Sequence, residues 1–111
     1  VLFTGDIEKS AERTIFDTYP DVTVDAIKVP HHGSNTSSTP PLLESVNAQI
    51  AVVSSGMRGD APLAKAEVIQ RYQDGGTPVY RTDYGGSIRV TRDDAGLVIS
   101  RARDLRNFAI R

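Results

Sequence analysis

The stretch Val22-Thr23-Val24-Asp25-Ala26-Ile27-Lys28-Val29-Pro30-His31-His32-Gly33-Ser34 carries a β-branched run straight into both histidines of the chain. The run predicts a strand, and the histidines stand at its end. An imidazole there is held by the sheet yet open to the loop side, and two in succession on extended backbone point to opposite sides. One can face a site while the other supports it. Gly33 removes the side chain where the backbone must turn, and Ser34, Asn35, Thr36, Ser37, Ser38 and Thr39 follow as a row of small hydrogen-bonding groups. Spacing alone leaves two readings: a solvated turn, or part of a metal or catalytic pocket. A zinc site takes three or four protein ligands, so two histidines and one carboxylate form an incomplete shell.

Outward from this stretch, the chain repeats one pattern. Val1-Leu2-Phe3 is a short apolar run ending in Thr4-Gly5-Asp6, and Ile7, Ala11 and Ile15 then recur at helical spacing. Asp6 can cap that helix, or Gly5 can turn the backbone so that Asp6 projects from a strand end toward a site. If this strand neighbours the one ending in His31-His32, Asp6 and His32 emerge on the same sheet edge. Thr39-Pro40-Pro41 predicts a helix start, with Leu42, Leu43 and Val46 on its buried side. Gln49 to Ser54 is nearly all apolar and reads as a central strand covered on both faces. Ser55 to Asp60 reads as a loop whose Asp60 can reach the pocket, and Pro62 as the opening of a third helix in which Ala64, Val68 and Tyr72 share a face.

The pattern changes after Asp74-Gly75-Gly76. Three short strands, 78–82, 86–91 and 96–100, are divided by glycine-containing turns and read as an antiparallel meander. The expected fold is mixed α/β, β-α-β-α-β-α followed by that meander, in a single domain over 1–111. Residues 101–111 form an Arg-rich tail with Arg101, Arg103, Arg106 and Arg111.

Bulk composition narrows the chemistry. At 111 residues one domain is expected, burying roughly two-thirds of the unfolded surface. The net charge of −1 gives no overall footprint for nucleic acid, so any polyanion contact is local. Without cysteine, disulfides and thiolate metal sites are excluded, and a metal can be held only through His, carboxylate, backbone or water. No apolar stretch is long enough to cross a bilayer and no signal-peptide pattern is present, so no membrane contact is expected from this segment. Because the chain starts at Val1 inside an apparent core strand, a fragment of a longer polypeptide is expected.

Together, Leu2-Phe3-Thr4-Gly5-Asp6, Lys28-Val29-Pro30-His31-His32-Gly33-Ser34 and Val79-Tyr80-Arg81-Thr82-Asp83 resemble the later part of the metallo-β-lactamase-like domain of ComEC-type competence proteins. The likeness spans residues 1 to about 92. It implies part of an αββα fold whose other half lies upstream. It also implies that Asp6 is a ligand able to bridge two metal ions and that His32, directly before Gly33, is the last ligand, with His31 in reserve. The family's first histidine cluster would precede Val1. Asp60 stands where these proteins often carry a histidine.

The resemblance implies a parent in the bacterial cell membrane, with this domain on its outer face acting as a zinc- or manganese-dependent phosphodiesterase or nuclease on incoming, single-stranded DNA. Asp6 and His32 would carry catalysis, and Ser34, Ser37 and Asp60 would contact substrate. The chain by itself is then expected to hold metal weakly and to lack activity. Two other readings stay open: a non-catalytic DNA-binding or structural module, and a soluble hydrolase of the same superfamily acting on a small substrate.

Overall fold

The computed structural model describes residues 1–102, so Arg103, Arg106 and Arg111 of the expected tail lie outside the described residues. Three parallel strand pairings build the main sheet: β1 (Leu2–Phe3) beside β2 (Ala26–Lys28), β2 beside β3 (Ile50–Val53), and β3 beside β6 (Val79–Arg81). Parallel neighbours need crossovers, and helices supply them. The crossovers carry α1 (Lys9–Thr18), α2 (Pro40–Val46) and α3 (Ala66–Asp74). The first two helices follow the expected points in the sequence, and the third starts four residues later than expected. Pro40 sits in the first turn of α2, where its missing N–H costs nothing.

Register divides the sheet into two faces. Leu2, Ile27, Ala51 and Val79 align across the strands, as do Phe3, Lys28, Val52 and Tyr80 on the opposite face. The first row joins the core with Leu42 and Val46 of α2 and Val68, Ile69 and Tyr72 of α3. The helices therefore cover one face. The other is roofed only in part by an antiparallel hairpin, β7 (Ile88–Asp93) with β8 (Gly96–Arg101), leaving a cavity of about 280 Å³ between Val52, Phe3 and the hairpin's Ile88 and Val90. Phe3 remains 76% exposed. So β3 is central as expected, with helices over one face and the hairpin over part of the other.

Four expectations are corrected. The strand leading to the histidines is only Ala26–Lys28, because Val24 N–H bonds the Val46 carbonyl at the end of α2 and draws the preceding residues off the sheet. Residues 55–60 are not a plain loop. Met57–Arg58 (β4) and Ala61–Pro62 (β5) pair antiparallel, Pro62 lies on that two-stranded ribbon, and α3 begins at Ala66. The three-strand meander does not form. The β3–α3–β6 crossover places β6 parallel in the main sheet, and a helical turn α4 (Thr82–Gly85) separates it from β7. Finally, the histidines are not extended: Pro30–Gly33 is a 3₁₀ turn in which His31 (φ 51°), His32 (φ 54°) and Gly33 (φ 84°) are all left-handed.

Gly33 is fixed by two constraints. Its φ favours glycine, and a Cβ placed there would meet the Ala64 Cβ at 2.9 Å. Gly33→Ala should lower unfolding free energy by roughly 2–4 kcal/mol, about half from the left-handed backbone and half from overpacking. Urea denaturation checks this, and a loss below about 1 kcal/mol would show that Ala64 gives way freely.

Candidate functional site

Two strand ends are stitched together before any functional side chain is placed. The buried Thr4 hydroxyl donates to the Lys28 carbonyl, and His31 N–H donates to the Gly5 carbonyl at 2.9 Å. These bonds join the β1 end to the β2 end. Gly5, at φ 56°, turns the chain immediately after β1 and leaves Asp6 exposed beside the histidine turn. Asp6 does not cap α1: the N-cap position is Glu8, without a side-chain cap bond. Its carboxylate lies instead 3.5 Å from His32 Nε2.

The His32 ring has a defined orientation. Its Nδ1 is 2.7 Å from the Ser54 carbonyl at the end of β3. A carbonyl can only accept, so Nδ1 carries the proton and, in the neutral ring, Nε2 presents a lone pair. That lone pair and the Asp6 carboxylate are two acceptors face to face. They repel unless a cation lies between them, either a proton on Nε2 or a metal ion. Metal-ligating histidines are commonly oriented in this way, by an N–H donated to a backbone carbonyl. One imidazole nitrogen and one carboxylate oxygen suit zinc or manganese. They are two donors, and among the described residues no third His, Cys, Asp or Glu joins them to complete a shell.

The other expected site residues divide. His31 turns away from Asp6, with Nδ1 3.3 Å from Thr36 Oγ1 and 3.9 Å from Glu8 Oε2. The structure thus brings His32, and not His31, to Asp6. Ser34 shares a 2.9 Å hydrogen bond with the Thr36 hydroxyl and stays on the same edge, beside His31. Ser37 is not open to a substrate: it is 1% exposed and its hydroxyl donates to the partly buried Ile7 carbonyl. Asp60 lies exposed in the turn between β4 and β5, and among the described residues no hydrogen bond or ion pair links it to Asp6 or His32.

Several positioning residues escape a sequence reading. Glu12 of α1 is fully buried, and its carboxylate accepts from Ser38 N–H, Thr39 N–H and the Thr39 hydroxyl, closing the loop that follows the histidines. The signal was its place beside Ala11 and three residues before Ile15, on the stripe facing the core. Arg71 Nη1 donates to the Ser38 carbonyl at 2.6 Å, and Tyr72 shares a 2.9 Å hydrogen bond with the Ser38 hydroxyl. Burial pushes the Tyr72 phenol up to about 12; the Ser38 bond and Arg71 oppose this, while Glu12 adds to it. At the β3 end, Thr82 Oγ1 accepts from Ser55 N–H and donates to its carbonyl, both at 2.9 Å, fixing the segment that orients His32. Arg81 and Asp83 form a two-point ion pair beside it.

No family model matches the chain. It is 37% identical over 105 residues to uncharacterized protein YcaI of Escherichia coli strain K12, covering 94% of this chain and 14% of that protein. It is 31% identical over 88 residues to ComE operon protein 3 of Bacillus subtilis strain 168, covering 79% of this chain and 11% of the relative. With competence protein ComA of Neisseria gonorrhoeae the identity is 30% over 104 residues, 93% of this chain and 15% of the relative. The expected likeness to competence proteins holds. It covers most of this chain but only 11–15% of the length of these relatives.

Two measurements check the geometry. Nitrogen-15 correlation spectra of neutral His32 should show the Nδ1–H form, and an Nε2–H form would break the link to Ser54. The second concerns Tyr72. Its phenol holds the proton more tightly folded than unfolded, so its contribution is complete below pH 10 and is lost as pH climbs toward about 12. Urea unfolding should show about 2–3 kcal/mol lost across that window, and Tyr72→Phe should flatten the loss.

Proposed function

We propose that this chain is half of a metal-dependent phosphodiesterase, of nuclease type, within a membrane DNA-uptake protein. One observation carries the reading: the Asp6 carboxylate and the His32 Nε2 lone pair converge at 3.5 Å, with the ring oriented by the Ser54 carbonyl. The competence protein ComA among the relatives supports the DNA-uptake setting. The metallo-β-lactamase-like fold is part of the proposal and rests on the motifs Thr4-Gly5-Asp6 and His31-His32-Gly33-Ser34.

Asp6 and His32 would hold zinc or manganese. Bound there, a divalent ion supplies Lewis acidity toward a phosphate oxygen. The chain's own residues do the rest. Asp6, on a turn pinned at Thr4 and Gly5, contributes negative charge at a fixed position. Ser54 holds the His32 ring so that Nε2 stays a lone-pair donor. Ser34, tied to Thr36, can turn its O–H toward a non-bridging oxygen. The remaining ligands would come from the other half of the domain, upstream of Val1. The part of the sheet face that the hairpin leaves open supports that partner: Phe3 is 76% exposed, an apolar surface that a second sheet would cover. In the parent the domain would lie on the outer face of the bacterial membrane. Among the described residues no helix is long and apolar enough to cross one. The two-donor count favours one alternative, a DNA-binding or structural module without catalysis.

In the full polypeptide, Asp6→Ala and His32→Ala should each lower manganese- or zinc-dependent cleavage of a single-stranded oligonucleotide by more than about 100-fold, with melting temperature preserved. His31→Ala should cost roughly tenfold or less. A reversed order of the two histidine effects would move the ligand role to His31, and no effect from any variant would favour the binding module.

A further inference from the structure

A second surface adjoins the candidate site. Between α1 and the loop that enters α2 lies an open cleft of about 450 Å³, lined by Lys9, Arg13, Phe16, Asn35, Thr39 and Arg71 among others. Three cations face it, although the chain as a whole carries a net charge of −1. Among the described residues no carboxylate lines it. Glu12 lies close by, but it is fully buried with both oxygens accepting hydrogen bonds from Ser38 and Thr39, so it is spent on the protein. Arg13 meets Asp17 at 3.7 Å, with both side chains more than 60% exposed, a contact too weak to hold the guanidinium from a ligand. Arg71 commits only Nη1, to the Ser37 and Ser38 carbonyls. Among the described residues nothing takes its other nitrogens.

We infer that this cleft holds the phosphodiester backbone of a single-stranded nucleic acid running from the Asp6–His32 edge. The inference rests on the reading above and adds a binding surface to it. Lys9 and Arg13 supply charges that meet successive phosphates, and Asn35 supplies a neutral donor; the Thr39 donors are already spent on Glu12. Phe16, half-buried in the same lining, offers a ring on which a base can stack. Continuity with the site is direct. His31 meets Thr36, the neighbour in sequence of Asn35, so one surface leads from the histidine turn into the cleft on the Thr36 side, away from the Glu8 carboxylate that lies 3.9 Å from His31. A single strand fits better than a duplex because stacking requires an unpaired base.

The test uses the full polypeptide, a fluorescein-labelled 20-nucleotide oligo(dT) probe, and variants Lys9→Ala, Arg13→Ala, their double, and Arg89→Ala on β7 as a control. Fluorescence anisotropy over a salt series should show the double variant binding roughly tenfold more weakly, with the slope of log K against log salt smaller by about 1.4, or two phosphate contacts at ~0.7 each. In a cleavage assay KM should rise while kcat stays within about twofold, and Arg89→Ala should match wild type. If wild type binds and cleaves the probe and the double variant is indistinguishable from it, the cleft inference falls alone. It falls equally if Arg89→Ala weakens binding as much as either single cleft variant. If wild type neither binds nor cleaves, the phosphodiesterase reading and this inference fall together. Binding without cleavage, weakened by the double variant, would support the cleft and overturn the catalytic reading.

Discussion

Everything at the candidate site depends on holding His31, His32 and Gly33 in the left-handed region. For a residue with a Cβ that conformation costs on the order of 1–2 kcal/mol, and two such residues stand in succession here. Strain of this kind persists only where the surroundings over-determine it. Four bonds do so: His31 N–H to the Gly5 carbonyl, Ser34 N–H to the His31 carbonyl, Lys65 N–H to the Gly33 carbonyl, and His32 Nδ1–H to the Ser54 carbonyl. At about 0.5–1.5 kcal/mol net apiece they match the cost. They also draw on three strand ends and the approach to α3, so the histidine conformation is a readout of the whole sheet. Left-handed backbone separates two adjacent rings, sending His32 to Asp6 and His31 to Glu8.

Beneath this turn lies a second support of a different kind. Residues 34–39 run over the helices without secondary structure of their own, and Ser38 is left-handed at φ 60° and fully buried. Such a segment cannot rest on apolar contacts, because its peptide groups would lose their partners. Glu12, Arg71 and Tyr72 complete it from α1 and α3, taking up the N–H, C=O and O–H groups of Ser38 and its neighbours. A fully satisfied buried network admits one arrangement. The wall of the cleft and the loop beside the histidines are therefore positioned by the same three side chains.

What the sequence discloses and what it conceals follow from how local each feature is. The three helices were legible because Ala11 and Ile15, then Pro40 with Leu42 and Val46, then Val68 and Tyr72 repeat at helical spacing, although Ile7, read in the same period, lies before α1. The meeting of Asp6 with His32 was legible because each follows a strand, and adjacent parallel strands present corresponding ends to one edge. The place of β6 was not: Val79 to Arg81 reads equally well beside β7 or beside β3, and only packing of Val79 in the row with Ala51 decides. Strands as short as β4 and β5 leave too few residues for a period. Nothing in His31-His32 announces positive φ, since neither is glycine. Ser37 read as a substrate contact because hydroxyls in loops usually face water, and its burial follows from the Ile7 carbonyl, thirty positions away.

The main sheet has a consequence for handling the protein. Among the described residues its order places β1 at an edge, with a second strand on one side only, and β1 also carries Phe3 on the partly roofed face. An open edge and an apolar face on the same strand are the two features that let sheets stack or extend between molecules. With a net charge of −1, long-range repulsion between copies is slight. As the concentration of the isolated chain rises, β1 is the place where copies first adhere, and a charged residue in place of Phe3 is the change that would keep them apart.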